Sequence, residues 1–215
     1  MIERFSTLAR DVRGALSAKL FPEPIASADG LARFVGQRAA YVAQSTLYGY
    51  LKTRMGTKYP QYFEDDGFSV LIRTASVQLF ASCAADLAIH AAAAAGSGGR
   101  LTPVGMAGLA RHCHATALRD ALADGDTALV PAGSTEALDA RAMATDWAAA
   151  AVGEAAFAGS AADLTRVAPV TDEFKSLDRP IVRNSIRFAW RDVRAQLARR
   201  LDPAAVSADW VARSD

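Results

Sequence analysis

The sequence predicts an all-α fold: a single-domain multi-helix bundle of about six main helices plus a short C-terminal helix. Three observations predict it. Apolar residues recur at helical spacing through most of the 215 residues. Alternating strand patterns are almost absent. Alanine-rich runs such as AADLAIHAAAAA and ATDWAAAAVGEAA combine high helix propensity with small side chains that let helix backbones approach closely.

The elements follow in order. Ile2, Phe5, Leu8, Val12, Leu16 and Leu20 place one apolar face on a first helix over about 2–20, which FPEP ends. A second helix is expected over 28–55, stopping at Gly56, with Lys52 and Arg54 in the last turn, where the helix dipole favours cations. TKYPQYF reads as a loop because the residue before proline avoids helical geometry. Glu64, Asp65 and Asp66 suit the start of a third helix reaching about Ala95. GSGG marks a flexible break near 96–102. Thr102-Pro103 then reads as a cap followed by proline at the first helical position, opening a fourth helix to about Ala123. Ser134 is expected to cap a fifth helix running to about Phe157, followed by a looser segment over 158–177. Asp178 and Pro180 are expected to open a sixth helix through Leu201, and Asp202-Pro203 to cap a short seventh.

Length and composition suit one domain spanning 1–215 with a sizeable core. The formal net charge is +1, which argues against a dedicated nucleic-acid binder. That balance is uneven, because residues 1–62 carry 9 basic against 4 acidic side chains and residues 101–172 carry 4 against 9. Pairing of the basic ends with the acidic middle is the simplest expectation. The two cysteines, Cys83 and Cys113, form no disulfide framework. The N-terminus lacks a secretory pattern, and Arg73 and Asp86 interrupt the most apolar run, so a soluble cytoplasmic protein is expected.

Three constellations are candidates for function. Cys83, Asp86 and His90 share a face of the third helix at i, i+3 and i+7. Asp86 is placed to hydrogen-bond His90, and a cysteine beside a histidine is a possible nucleophile, so these three are the catalytic candidates, lining a small cavity in an enzyme or ligand-binding bundle. In HCH, His112 and His114 point about 200° apart on an intact helix and do not chelate one ion, so no metal and no cofactor is expected. No phosphate-binding glycine loop, nucleophile elbow or zinc signature occurs.

On the sixth helix Arg179, Arg183, Arg187, Arg191 and Arg194 fall within about 120° of one another beside the apolar stripe of Val182, Ile186, Ala189, Val193 and Leu197. All five tyrosines lie between Tyr41 and Tyr62, interleaved with Lys52, Arg54 and Lys58. Tyrosine and arginine are enriched at interface hot spots.

The reading favoured by these residues is an interaction or assembly protein rather than an enzyme. It would bind a protein partner, or a second copy of itself, through Lys58, Tyr59 and Tyr62 or through Arg183, Arg187, Arg191 and Arg194. Peripheral binding to an anionic membrane surface is the further alternative.

Overall fold

The computed structural model describes residues 23–56 and 64–213, so the helix expected over 2–20 and the loop at 57–63 lie outside the described residues. The described residues form eight α-helices and no strand: α1 Ala28–Met55, α2 Asp66–Gly96, α3 Pro103–Ala121, α4 Ser134–Met143, α5 Trp147–Val152, α6 Ala158–Val167, α7 Asp172–Arg200 and α8 Pro203–Ala212.

Local sequence sets most boundaries. Ser27 caps α1 by accepting from the Gly30 N–H at 3.1 Å, and Gly56 ends it at φ 55°, a left-handed conformation that glycine adopts without a Cβ clash. Asp65 accepts from the Phe68 N–H at 2.7 Å to start α2. Thr102 and Asp202 cap α3 and α8 in the same way, each followed by proline at the first helical position.

The region between 134 and 180 differs from expectation. Instead of one helix to Phe157, Asp146 accepts from the Ala149 N–H and starts α5 afresh, and Gly153 ends it. Gly133, at φ 77°, occupies the cap position of α4, and the Ser134 hydroxyl donates backwards to the Pro131 carbonyl. The segment expected to be loose contains α6 and the first turns of α7. Pro180 lies inside α7 rather than at its start. Its missing N–H deprives the Ser176 carbonyl of a partner, a loss eased by the exposure of both residues to water. Asp178 is no cap but a buried acceptor.

The long helices α1, α2 and α3 pack mutually to form the centre. α2 is long and apolar enough to cross a membrane, yet 83% of its most apolar window is buried by its neighbours. α5 and α6 cover one side of α2, α7 lies across α6 and α1, and α8 closes over α1 and α2. The two ends of the described chain are clasped together. Ile25 N–H donates to Arg200 O at 2.7 Å, and Asp202 N–H donates back to Ile25 O at 2.9 Å.

Candidate functional site

Cys83, Asp86 and His90 are all buried on α2, but they do not form the expected pair. Asp86 accepts from Arg141 of α4 and from the Ser160 N–H at 2.8 Å. His90 Nδ1 lies 2.8 Å from the Ala150 carbonyl. The physical reason is the open N-terminus of α6. Phe157 occupies its cap position and brings no side-chain acceptor, so the Asp86 carboxylate reaches across from α2 to take an orphan N–H at the positive end of the helix dipole. Burial raises the Asp86 pKa, opposed by the Arg141 charge and the Ser160 hydrogen bonds. Burial likewise pushes the Cys83 thiol well up, away from the thiolate form a nucleophile needs, and lowers His90. Ser160 continues the network by accepting from Trp190 Nε1 at 3.0 Å, tying α7 to the same point.

The HCH run is divided among different partners. His112 Nε2 lies 3.0 Å from Asp29 Oδ1, whereas Cys113 and His114 are buried in the core. Among the described residues no group of three or more His, Cys, Asp or Glu is placed to hold a metal ion.

Of the tyrosine corner, Lys58, Tyr59 and Tyr62 lie outside the described residues. Tyr41 is exposed, Tyr48 and Tyr50 half-buried. Tyr50 donates to Asp178 Oδ2 at 2.9 Å, Arg54 pairs with the same carboxylate, and the Arg54 guanidinium lies 4.6 Å from the centre of the Phe174 ring. The chain therefore leaves α1 beside the first turns of α7. A Cβ added at Gly49 would meet none of the described residues within 4 Å.

α7 carries three distinct faces. Val182, Ile186, Trp190, Val193 and Leu197 are buried. Roughly opposite, at about 180–240° around the helix from Ile186, lie Phe174, Leu177, Ile181 and Phe188. These four are exposed by 40, 65, 70 and 61%. Their spacing of three, four and seven is that of a heptad seam. The arginine row occupies the flank between the two.

The expected pairing of that row with the acidic middle segment holds only for Arg187, whose Nη2 lies 2.7 Å from Glu154 Oε2. Arg194 donates to the Val152 carbonyl at 2.6 Å. Arg191 stacks on Phe188 at 5.3 Å and approaches Asp192 at 3.6 Å. Arg183 and Arg179 are exposed and have no hydrogen bond or ion pair among the described residues.

Between α6 and α7 these side chains border a groove of about 780 Å³, floored by Phe157, Ala161 and Trp190 and rimmed by Arg166, Lys175, Arg179, Arg183, Arg187 and Arg194. Glu154 and Asp172 are its two acidic lining residues. Thr165 also lines it, buried to 8% exposure, with a hydroxyl that has no partner among the described residues. A second groove of about 430 Å³ runs between α1 and α7 past Tyr50 and Asp178. Neither groove is lined by Cys83, Asp86 or His90.

Sequence reasoning missed Thr165, Arg166 and Lys175 because it treated 158–177 as loose. The recurrence of Ala161, Leu164 and Ala168 on one side of α6 was the available signal. The fold and site together define an all-α bundle presenting a basic groove and an apolar, arginine-flanked helix face. Comparison with family models, curated proteins and solved structures finds no match, so the functional reading rests on this chain's own geometry.

Proposed function

We propose that the protein is an interaction module whose contact surface is the solvent-facing side of α7, where it receives an amphipathic helix with an acidic flank from a protein partner. The observation that carries this reading is the juxtaposition of the exposed heptad stripe Phe174, Leu177, Ile181 and Phe188 with the row Arg183, Arg187, Arg191 and Arg194. An apolar seam with charged residues on its flank is how helices recognise helices in water: the seam supplies buried area, and the charges select partner and orientation. Arginine suits the charged role because its fork engages carboxylates bidentately. The end of α1 lies beside this stripe through the Arg54–Phe174 contact.

The test uses a labelled 21-residue helical peptide with leucine at heptad core positions and glutamate on the flanks, followed by fluorescence anisotropy. Binding should weaken at least about tenfold in Ile181→Asp, because a central hot spot contributes about 2 kcal/mol or more. It should also weaken with added salt. Binding unaffected by Ile181→Asp and Phe188→Asp removes the reading. Light scattering over a range of concentrations identifies a second copy of the chain as the partner if mass rises and Ile181→Asp reverses it.

The same exposed Phe, Leu and Ile beside arginines also favour a second reading, peripheral attachment to an anionic membrane. Sedimentation with phosphatidylserine vesicles, lost at high salt and in Ile181→Asp, would select it over the helix partner. A catalytic Cys83, Asp86 and His90 cavity has weaker support, since all three are buried and Asp86 and His90 are engaged with different partners.

A further inference from the structure

We propose that the groove between α6 and α7 is a binding site for a phosphomonoester, a dianionic phosphate group carried on a small organic body. This goes beyond the α7 partner reading: the groove shares Arg183, Arg187 and Arg194 with that surface but none of its apolar stripe, and it opens on the opposite flank of the arginine row.

Three features of the groove point to this ligand. The rim carries six basic side chains against two acidic ones, an excess that the fold does not consume. Arg187 is matched by Glu154, Arg166 by Asp163 at 2.8 Å, and Lys175 approaches Asp172 at 3.6 Å while donating to the Arg166 carbonyl. Arg179 and Arg183, one turn apart on α7, are left with guanidinium groups unmatched among the described residues. Two adjacent unmatched guanidinium groups suit an oxyanion with at least three acceptor oxygens better than a single carboxylate.

The second feature is Thr165. Its hydroxyl is buried without a partner among the described residues on the α6 side of the groove, the arrangement expected where a ligand oxygen completes the hydrogen bonding. The third is size. A volume of about 780 Å³ falls in the range of small-molecule sites and far exceeds a bare phosphate. The apolar floor of Phe157, Ala161 and Trp190 is suited to the organic part of the ligand.

A phosphomonoester is offered in the cell either by a soluble small molecule or by a lipid headgroup. The test therefore titrates the full chain with inorganic phosphate, with glycerol phosphate, and with vesicles of phosphatidic acid in phosphatidylcholine. Amide resonances of α6 and α7 and calorimetry report binding. Saturable binding of glycerol phosphate in solution identifies a soluble source. Binding confined to phosphatidic acid vesicles, and lost in the Arg179→Gln/Arg183→Gln double variant, identifies a headgroup.

The double variant should lose at least about tenfold in affinity for whichever probe binds, as expected for removing hydrogen bonds to a charged group. Thr165→Val should lose several-fold while its melting temperature stays level or rises, because the hydroxyl it removes has no partner among the described residues. Arg191→Gln, on the far side of the row, should bind as the wild type does. No saturable response to any of the three probes overturns the site, and so does affinity unchanged in the double variant. Neither outcome bears on peptide binding at Ile181 and Phe188.

Discussion

Asp86 is fully buried, and its carboxylate joins three helices: its own α2, α4 through Arg141 and α6 through the Ser160 N–H. Removing it in Asp86→Ala leaves the Arg141 guanidinium with the Ala156 carbonyl but without its carboxylate, and leaves a helix N-terminal N–H without its acceptor. Urea unfolding should show a loss of about 3–5 kcal/mol, the usual cost of breaking a buried ion pair from one side. Gly159 is held to glycine by the same contact, since a Cβ there would sit 2.8 Å from Asp86 Oδ1. Gly159→Ala should therefore destabilise, and Asp86→Asn should do so less than Asp86→Ala.

The buried histidines set an acid limit on stability. His90 and His114 are both lowered from the ordinary value of 6.5, chiefly by burial. The folded state holds them neutral while the unfolded chain takes up protons below about pH 6.5, so their contribution is complete above that pH and declines as pH falls beneath it. The melting temperature should drop between pH 7 and 5, and His114→Gln should flatten that slope. Asp29 acts at lower pH. The Arg213 hydrogen bonds hold its pKa at about 2, so its contribution is present above about pH 4 and fades towards pH 2. Exposure of the pair to solvent keeps that contribution small.

Among the elements, α7 departs furthest from local rules. It keeps a proline in its interior, exposes an apolar stripe and carries arginines on one flank, three features that do not serve its own stability. Pro180→Ala restores a helical N–H opposite the Ser176 carbonyl on an exposed turn and should stabilise by about 1–3 kcal/mol, measured by thermal melting. A gain of that size would show that the proline is retained for a reason other than folding. α1 offers a plainer comparison. A Cβ at Gly49 meets nothing within 4 Å, whereas one at Gly36 would lie 3.4 Å from Ala117 of α3. Gly49→Ala should stabilise by about 0.5–1 kcal/mol, and a large residue at Gly36 should prise α1 from α3.

At the scale of the molecule, the bundle is closed by its last helix. Trp210 Nε1 donates to Gly105 O at 3.0 Å, its ring lies 5.4 Å from His112, and Ser207 Oγ donates to Ala95 O at 2.9 Å. Asp209 accepts from the Ala28 N–H at 2.8 Å, capping α1 from the other end of the chain. Trp210→Ala should cost about 2–3 kcal/mol, somewhat under the figure for a fully buried tryptophan because the ring is half-exposed. Native-state hydrogen exchange should show the start of α1 opening together with α8 in that variant.

The sequence by itself determined the all-α class, the bounds of α1, α2, α3 and α8, and the arginine row. Caps, glycine stops and helical periodicity are properties of contiguous residues, and Ser27, Gly56, Thr102 and Asp202 act within one turn of themselves. Tertiary structure alone decided the fate of Asp86, which four-residue spacing offers to His90. An uncapped α6 and the Arg141 charge compete for the same carboxylate from residues more than fifty positions away, and together they win it. Tertiary structure alone also divided the arginines, by setting Glu154 against Arg187 and, among the described residues, nothing against Arg179 and Arg183. It placed the unpartnered Thr165 hydroxyl across the same groove. Electrostatic and hydrogen-bonding partners are chosen by proximity in space, which a local pattern does not encode until the helices have packed.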